Sequence, residues 1–182
     1  MRAFLALPIP VATLDALVAA QSRLAVGRRV PEENMHLTLA FLGEVSAGSL
    51  EELDDILSAT PLPTAPVNFG GLGTFGDMER GLVFVSVQAG DRLTSLQTKV
   101  ARAARVAGIE LPRRRFRPHV TLTRSNRQPV GPARDRLAAS LGAPVEIPGF
   151  DATELVLFQS TLGPSGARHD PLSRYPLSPM SG

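Results

Sequence analysis

Cysteine and tryptophan are missing from this chain of 182 residues, lysine and tyrosine occur once each, as Lys99 and Tyr175, and there are only three histidines. With no thiol there is no disulfide, no thiolate metal ligand and no cysteine nucleophile, which suits a cytoplasmic protein. The single lysine sits in Gln97-Thr98-Lys99-Val100, not in the Lys-x-Asp-Gly setting of a lysyl-adenylate ligase, and no Walker loop is present, so ATP-dependent ligation is not expected. The histidines form no His-x-x-x-His, and no Asp or Glu adjoins His36 or His119 at ligand spacing, so no metal is expected either. No apolar run approaches the roughly 20 residues of a membrane span. Arg2 and the apolar residues after it imitate a secretion signal only until Pro8, Pro10 and Asp15 interrupt them. A soluble, cytoplasmic protein is expected.

Hydrophobic residues make up 43% and charged residues 20%, and 16 prolines with 16 glycines imply many turns. No compositional break marks a linker, so residues 1–182 read as a single domain. Net charge is only +2, but it is unevenly spread: residues 1–90 hold 5 basic and 10 acidic side chains, residues 91–182 hold 14 and 7. A polyanion is expected to lean on the second half.

Periodicity gives a coarse map. Residues 2–8 read as a strand ended by Pro8 and Pro10, and a helix follows over 11–25 with Leu14, Leu17, Val18, Gln21 and Leu24 as its buried stripe. The polar loop from Gly27 to Asn34 carries Arg28 and Arg29 into a strand over 35–42, ended by Gly43. Ser46 or Ser49 caps a helix over 46–59, its stripe Leu50, Leu53, Ile56 and Leu57, its wet face Glu51, Glu52, Asp54 and Asp55. Then come a glycine-interrupted strand over 66–75, a turn over 76–81, a strand over 82–88 and a helix over 91–107 stopped by Gly108. A second strand is expected within 113–124, a helix from Pro132 to Gly142, strands over 144–150 and 153–161, and one short strand near 172–177 in a tail rich in Pro, Ser and Gly. The order repeats in outline, which predicts an α+β fold by internal duplication, each half a small sheet backed by helices.

Two of the three histidines fall in matched four-residue patterns, His36-Leu37-Thr38-Leu39 and His119-Val120-Thr121-Leu122, 83 residues apart. On a strand, His36 and Thr38 share one face while Leu37, Leu39 and Phe41 take the other; likewise His119, Thr121 and Thr123 share a face, and Arg124 points away. An imidazole titrates near neutrality, so one can be neutral and its partner protonated, and two of them, each beside a hydroxyl, suit the movement of two protons at a phosphate. Arg113, Arg114, Arg115 and Arg117 flank Phe116 just before His119, where arginines could meet RNA phosphates and the ring a base. His169, in Gly166-Ala167-Arg168-His169-Asp170, reads as a surface-loop residue.

These residues resemble the two HxTx motifs of the two-histidine phosphoesterases, and in particular the bacterial and archaeal RNA 2′,3′-cyclic phosphodiesterases once described as 2′-5′ RNA ligases. The likeness extends to Met1–Leu7 (MRAFLAL), Pro31–Gly43 (PEENMHLTLAFLG), Gly71–Phe75 (GLGTF) and Phe116–Arg124 (FRPHVTLTR). It implies two pseudo-symmetric lobes of mostly antiparallel sheet with the active-site cleft between them. It also implies hydrolysis of a cyclic end to a 2′-phosphate, with His36 as proton donor to the leaving 3′ oxygen and His119 as acceptor; the motifs alone are too alike to assign the two roles. Thr38, Thr121 and Arg124 would bind the phosphate, with no cofactor and no metal. The expected partner is RNA or an oligonucleotide with a 2′,3′-cyclic phosphate end, met by Arg115, Arg117 and Phe116, and the protein would act as a monomer without a membrane or obligate protein partner. ATP-independent 2′-5′ ligation would be the reverse reaction. Where the family usually has a tyrosine after a glycine, this chain has His169. The alternatives are a non-catalytic RNA-end-binding module, which would need no pair of titrating imidazoles, and a phosphodiesterase acting on another small nucleotide.

Overall fold

The first strand is buried along most of its length. In the computed structural model, which describes residues 1–75, 82–125 and 127–179, β1 (Arg2–Pro8) has Ala3 to Leu7 buried in succession. A strand buried on both faces is covered by protein on both. β1 pairs antiparallel with β3 (His36–Glu44) on one side and with β9 (Glu154–Gly163) on the other, and β10 (Gly166–Pro176) completes a sheet of order β10-β9-β1-β3. The second sheet has the order β2-β7-β6-β5, from β2 (Arg28–Arg29), β7 (His119–Arg124), β6 (Val83–Val87) and β5 (Phe69–Thr74). A short ribbon joins β4 (Ala65–Val67) to β8 (Phe150–Ala152). All these pairings are antiparallel, as expected of the α+β fold.

The two sheets are not the two halves of the chain. β9 and β10, from the C-terminal end, complete the sheet that β1 and β3 begin, whereas β2, from the first half, joins the second sheet. The helices cross over as well. α1 (Val11–Ser22) packs on β7 of the second sheet, and α3 (Asp91–Val106) packs on β3 of the first and against α2 (Ala47–Ala59). α4 (Pro132–Gly142) lies on β5. One core runs through both lobes, from Leu5, Leu37 and Leu155 to Val85, Val120 and Leu122, so neither lobe closes a core without segments of the other half.

Several expected boundaries move. The residues 27–34 contain β2 and a 3₁₀ turn, Glu32–Asn34. The strand over 66–75 divides at Asn68 into β4 and β5, each in a different sheet. Residues 144–149 are not a strand, and the second motif strand begins only at His119 because Pro112 and Pro118 bound an irregular arginine-rich segment. The tail carries an eleven-residue strand, β10, rather than a short one; its polar residues hid an alternation that pairing with β9 supplies. Asp54, expected on the wet face of α2, accepts a 2.6 Å hydrogen bond from Tyr175 on β10. Ser46 is the cap, accepting from Ser49 N at 3.1 Å. The expected turn over 76–81 lies outside the described residues. Among the described residues, no helix is long and apolar enough to cross a membrane.

Candidate active site

Both motif strands depart from simple alternation at the same place. Along β3, Thr38 pairs with Ala6 but Ala40 pairs with Leu5, so Leu39 is an extra residue. Along β7, Thr121 pairs with Phe84 but Thr123 pairs with Val83, so Leu122 is the extra residue. Each is a β-bulge immediately after the motif, and a bulge reverses the facing of everything beyond it. Two expectations are corrected. Phe41, expected beside Leu37 and Leu39 toward the core, is 55% exposed and lies across from Phe4, with ring centroids 6.4 Å apart. Thr123, expected beside His119 and Thr121, is fully buried, and its hydroxyl finds no partner among the described residues. Arg124 is thereby turned to the histidine side, where it acts electrostatically on His36, His119 and His169. Strict alternation had pointed it away. Gly43, expected to end β3, lies within it at φ +72° and forms a further irregularity opposite Ala3.

The bulge in β7 is braced from α1. Gln21, the polar member of that helix's stripe, is buried and donates from Nε2 to the carbonyls of Val30 at 2.8 Å and Leu122 at 2.7 Å. A buried amide with both protons satisfied by backbone is a fixed strut.

Each histidine is packed against aromatic rings and tied to the backbone two residues earlier. His119 Nδ1 is 2.7 Å from the Arg117 carbonyl. A carbonyl only accepts, so Nδ1 carries the hydrogen and Nε2 is left to exchange a proton. Phe75 and Phe84 lie 4.7 and 5.1 Å from the His119 ring, and the Arg117 guanidinium covers Phe75 at 5.0 Å. His36 has the corresponding bond to the Asn34 backbone and stacks on Phe4 at 4.7 Å, with Phe158 beyond. Burial, then the neighbouring His169, lowers the His36 pKa to about 4; burial also lowers that of His119. Thr38 and Thr121 are half-buried on the histidine faces, and neither hydroxyl has a partner among the described residues. They are free to donate.

The structure sets His36, His119 and Arg124 within electrostatic reach of one another, with Thr38 and Thr121 on the same strand faces as the histidines; of the expected RNA contacts, Arg117 also acts on His119, whereas Phe116 and Arg115 show no contact with the histidines. Phe116 packs against the core instead of offering its ring to a base. Arg115 is exposed, without a hydrogen bond or ion pair among the described residues, and Arg117 is spent on Phe75 and, through its carbonyl, on His119. His169 was missed. It stands on β10 with its ring edge-on to His36 at 5.3 Å and to Phe4 at 4.9 Å, and its Nδ1 is buried. Its tertiary pairing with Ser160 is what places it there. Among the described residues, no three His, Asp or Glu side chains are grouped so as to hold a metal ion.

The model of the 2′-5′ RNA ligase superfamily matches residues 10–164. This chain belongs to that superfamily. Its curated relatives within the superfamily include an RNA 2′,3′-cyclic phosphodiesterase of Geobacillus stearothermophilus, 30% identical over 96% of this chain; the chain spans 56% of the length of that relative. The Escherichia coli K12 RNA 2′,3′-cyclic phosphodiesterase is 28% identical, with 97% of each chain covered. Among solved structures, the superfamily fold recurs in E. coli LigT without ligand, at TM-score 0.76 and 26% identity over 97% of each chain. The LigT complex with 3′-AMP matches at TM-score 0.73 and 25% identity, covering 97% of this chain and 96% of LigT.

Proposed function

We propose that this protein hydrolyses RNA 2′,3′-cyclic phosphate ends to 2′-phosphomonoesters by two-histidine acid-base catalysis. The observation that carries the reading is the matched pair of bulged strands, each offering one imidazole and one unpartnered hydroxyl to the cleft that Arg124 enters. The relatives named as RNA 2′,3′-cyclic phosphodiesterases support it. In this reading His119 Nε2 takes a proton from water as its oxygen attacks phosphorus. The bond from phosphorus to the ribose 3′ oxygen breaks, and His36 gives that oxygen a proton. The products are a 2′-phosphate and a 3′-hydroxyl. Thr38, Thr121 and Arg124 hold the non-bridging oxygens, where charge builds in the transition state. With a 5′-hydroxyl in place of water, the same step, with the bond to the ribose 3′ oxygen breaking, joins two ends by a 2′-5′ bond without ATP.

The free cleft keeps His36 neutral near pH 7, so the donor role requires substrate: a phosphate anion beside the imidazole favours its charged form and offsets the burial that disfavours it. The test is incubation with an oligonucleotide ending in a 2′,3′-cyclic phosphate, in excess chelator. A 2′-phosphate product is expected. A 3′-phosphate would overturn the assignment of donor and acceptor, and loss of activity restored by a divalent ion would overturn metal-free acid-base chemistry.

A further inference from the structure

Beyond the two histidine motifs, the site holds two guanidinium groups that make no ion pair among the described residues. Arg2 and Phe4 alternate on the face of β1 that carries the ring stack on His36. Ala3 pairs with Gln159, so Arg2 lies level with Ser160, which pairs with His169 two strands away. Arg2 acts electrostatically on both His169 and Arg124, and Arg124 in turn on His169. Three strands from two lobes therefore bring two guanidinium groups and an imidazole together.

Neither guanidinium has a hydrogen bond or ion pair among the described residues. Nearby carboxylates are engaged elsewhere: Glu44, across from Arg2, binds the Met1 ammonium at 3.2 Å, and Asp170, next to His169, binds Arg168 at 2.9 Å. Repelling cations held in a cleft without a counterion define a place for an anion. Arg124 links this place to the histidine pair, because it also acts on His36 and His119.

Building on the cyclic phosphodiesterase reading, we propose that Arg2, Arg124 and His169 form a second phosphate subsite that takes the 5′-phosphodiester of the terminal nucleotide. The ribose that carries the cyclic phosphate carries this next phosphate on its 5′ side, so one sugar spans the two subsites. The enzyme then selects the end of a chain over a free cyclic mononucleotide. The two arginines supply the charge, and the His169 imidazole, packed edge-on to His36, lies beside them.

The experiment compares kcat/KM for adenosine 2′,3′-cyclic phosphate with a free 5′-hydroxyl, the same compound as its 5′-methyl phosphate diester, and the ApA dinucleotide ending in a 2′,3′-cyclic phosphate. Charge-assisted contacts to one anion predict that both 5′-diesters exceed the free nucleoside about ten- to a hundredfold, the margin shrinking as salt rises. Arg2→Gln should erase most of that ratio and Arg2→Lys should keep part of it. Equal values for all three substrates overturn the subsite while leaving the hydrolase reading intact. So does a preference for the dinucleotide alone, which assigns the gain to the second base, or a ratio unchanged in Arg2→Gln. Failure to cleave any of the three overturns the hydrolase reading and the subsite with it. The wild-type comparison needs no variant to fold.

Discussion

At the residue scale, the proposed chemistry rests on two imidazoles whose surroundings are similar but not equal. Both are half-buried and both bind the backbone two residues earlier, but only His36 has a second imidazole against it. General acid or base help is worth about 10²- to 10⁴-fold, so His36→Ala and His119→Ala should each lose at least that much turnover, and the double variant should be little worse than the poorer single one. Near-normal turnover by a folded His119→Ala would defeat the mechanism. Proton binding by His36 offers a second check. In the free protein its imidazole should titrate near pH 4, and saturating inorganic phosphate should move that midpoint upward, read by NMR from the ring protons. An unmoved midpoint would mean that phosphate does not occupy the cleft beside it.

At the scale of the element, the bulges decide which residues reach the cleft. Each inserts one residue after the motif, so Ala40 and Thr123 turn inward while Phe41 and Arg124 turn outward. The inward turn leaves the Thr123 hydroxyl in a fully buried place with no partner among the described residues. Replacing it with a methyl group of similar shape removes an unpaired polar atom, so Thr123→Val should leave stability unchanged or raise it by about 1 kcal/mol in denaturant unfolding, without slowing turnover. A loss of more than that would show that the hydroxyl has a partner. The bulge is also why Arg124 could not be placed by counting. Alternation fixes a facing only while pairing continues in register.

At the scale of the molecule, the lobes are stitched together at the cleft mouth. Arg28, on β2 of the second sheet, donates at 2.7 Å to the Ser165 carbonyl in the turn between β9 and β10 of the first. Gly166 follows at φ +126°, and the Arg28 guanidinium occupies the space where a side chain would begin. Gly166→Ala should therefore both strain the turn and displace Arg28, costing roughly 1–3 kcal/mol by thermal or denaturant unfolding. Stability should also depend on pH in a stated direction. His36, His119 and His169 all have folded pKa values below 6.5, so the unfolded chain binds more protons between that value and the folded ones. Their contribution is present above about pH 6.5 and is lost as pH falls toward 4. Thermal midpoints measured across that window should fall with acidification, and His36→Phe, which cannot take up a proton, should flatten the slope.

The sequence by itself determined the chemistry-bearing residues and the elements that carry them. The matched HxTx patterns, the burial stripes of α2 and α3 and the Pro132 start of α4 are short-range signals, set by helical and strand periods and by capping residues within a few positions. Tertiary structure alone decided everything that depends on long-range pairing. β9 and β10 return from the end of the chain to the β1 sheet, which carries His169 to His36 from a segment that reads as a loop. Arg2 and Arg124 come within electrostatic reach of each other, and Phe116 is half-buried against the core, for the same reason. A residue's facing follows from its own strand, but its neighbours across a cleft follow from which strands the whole core can bring together, and that is a property of no local window.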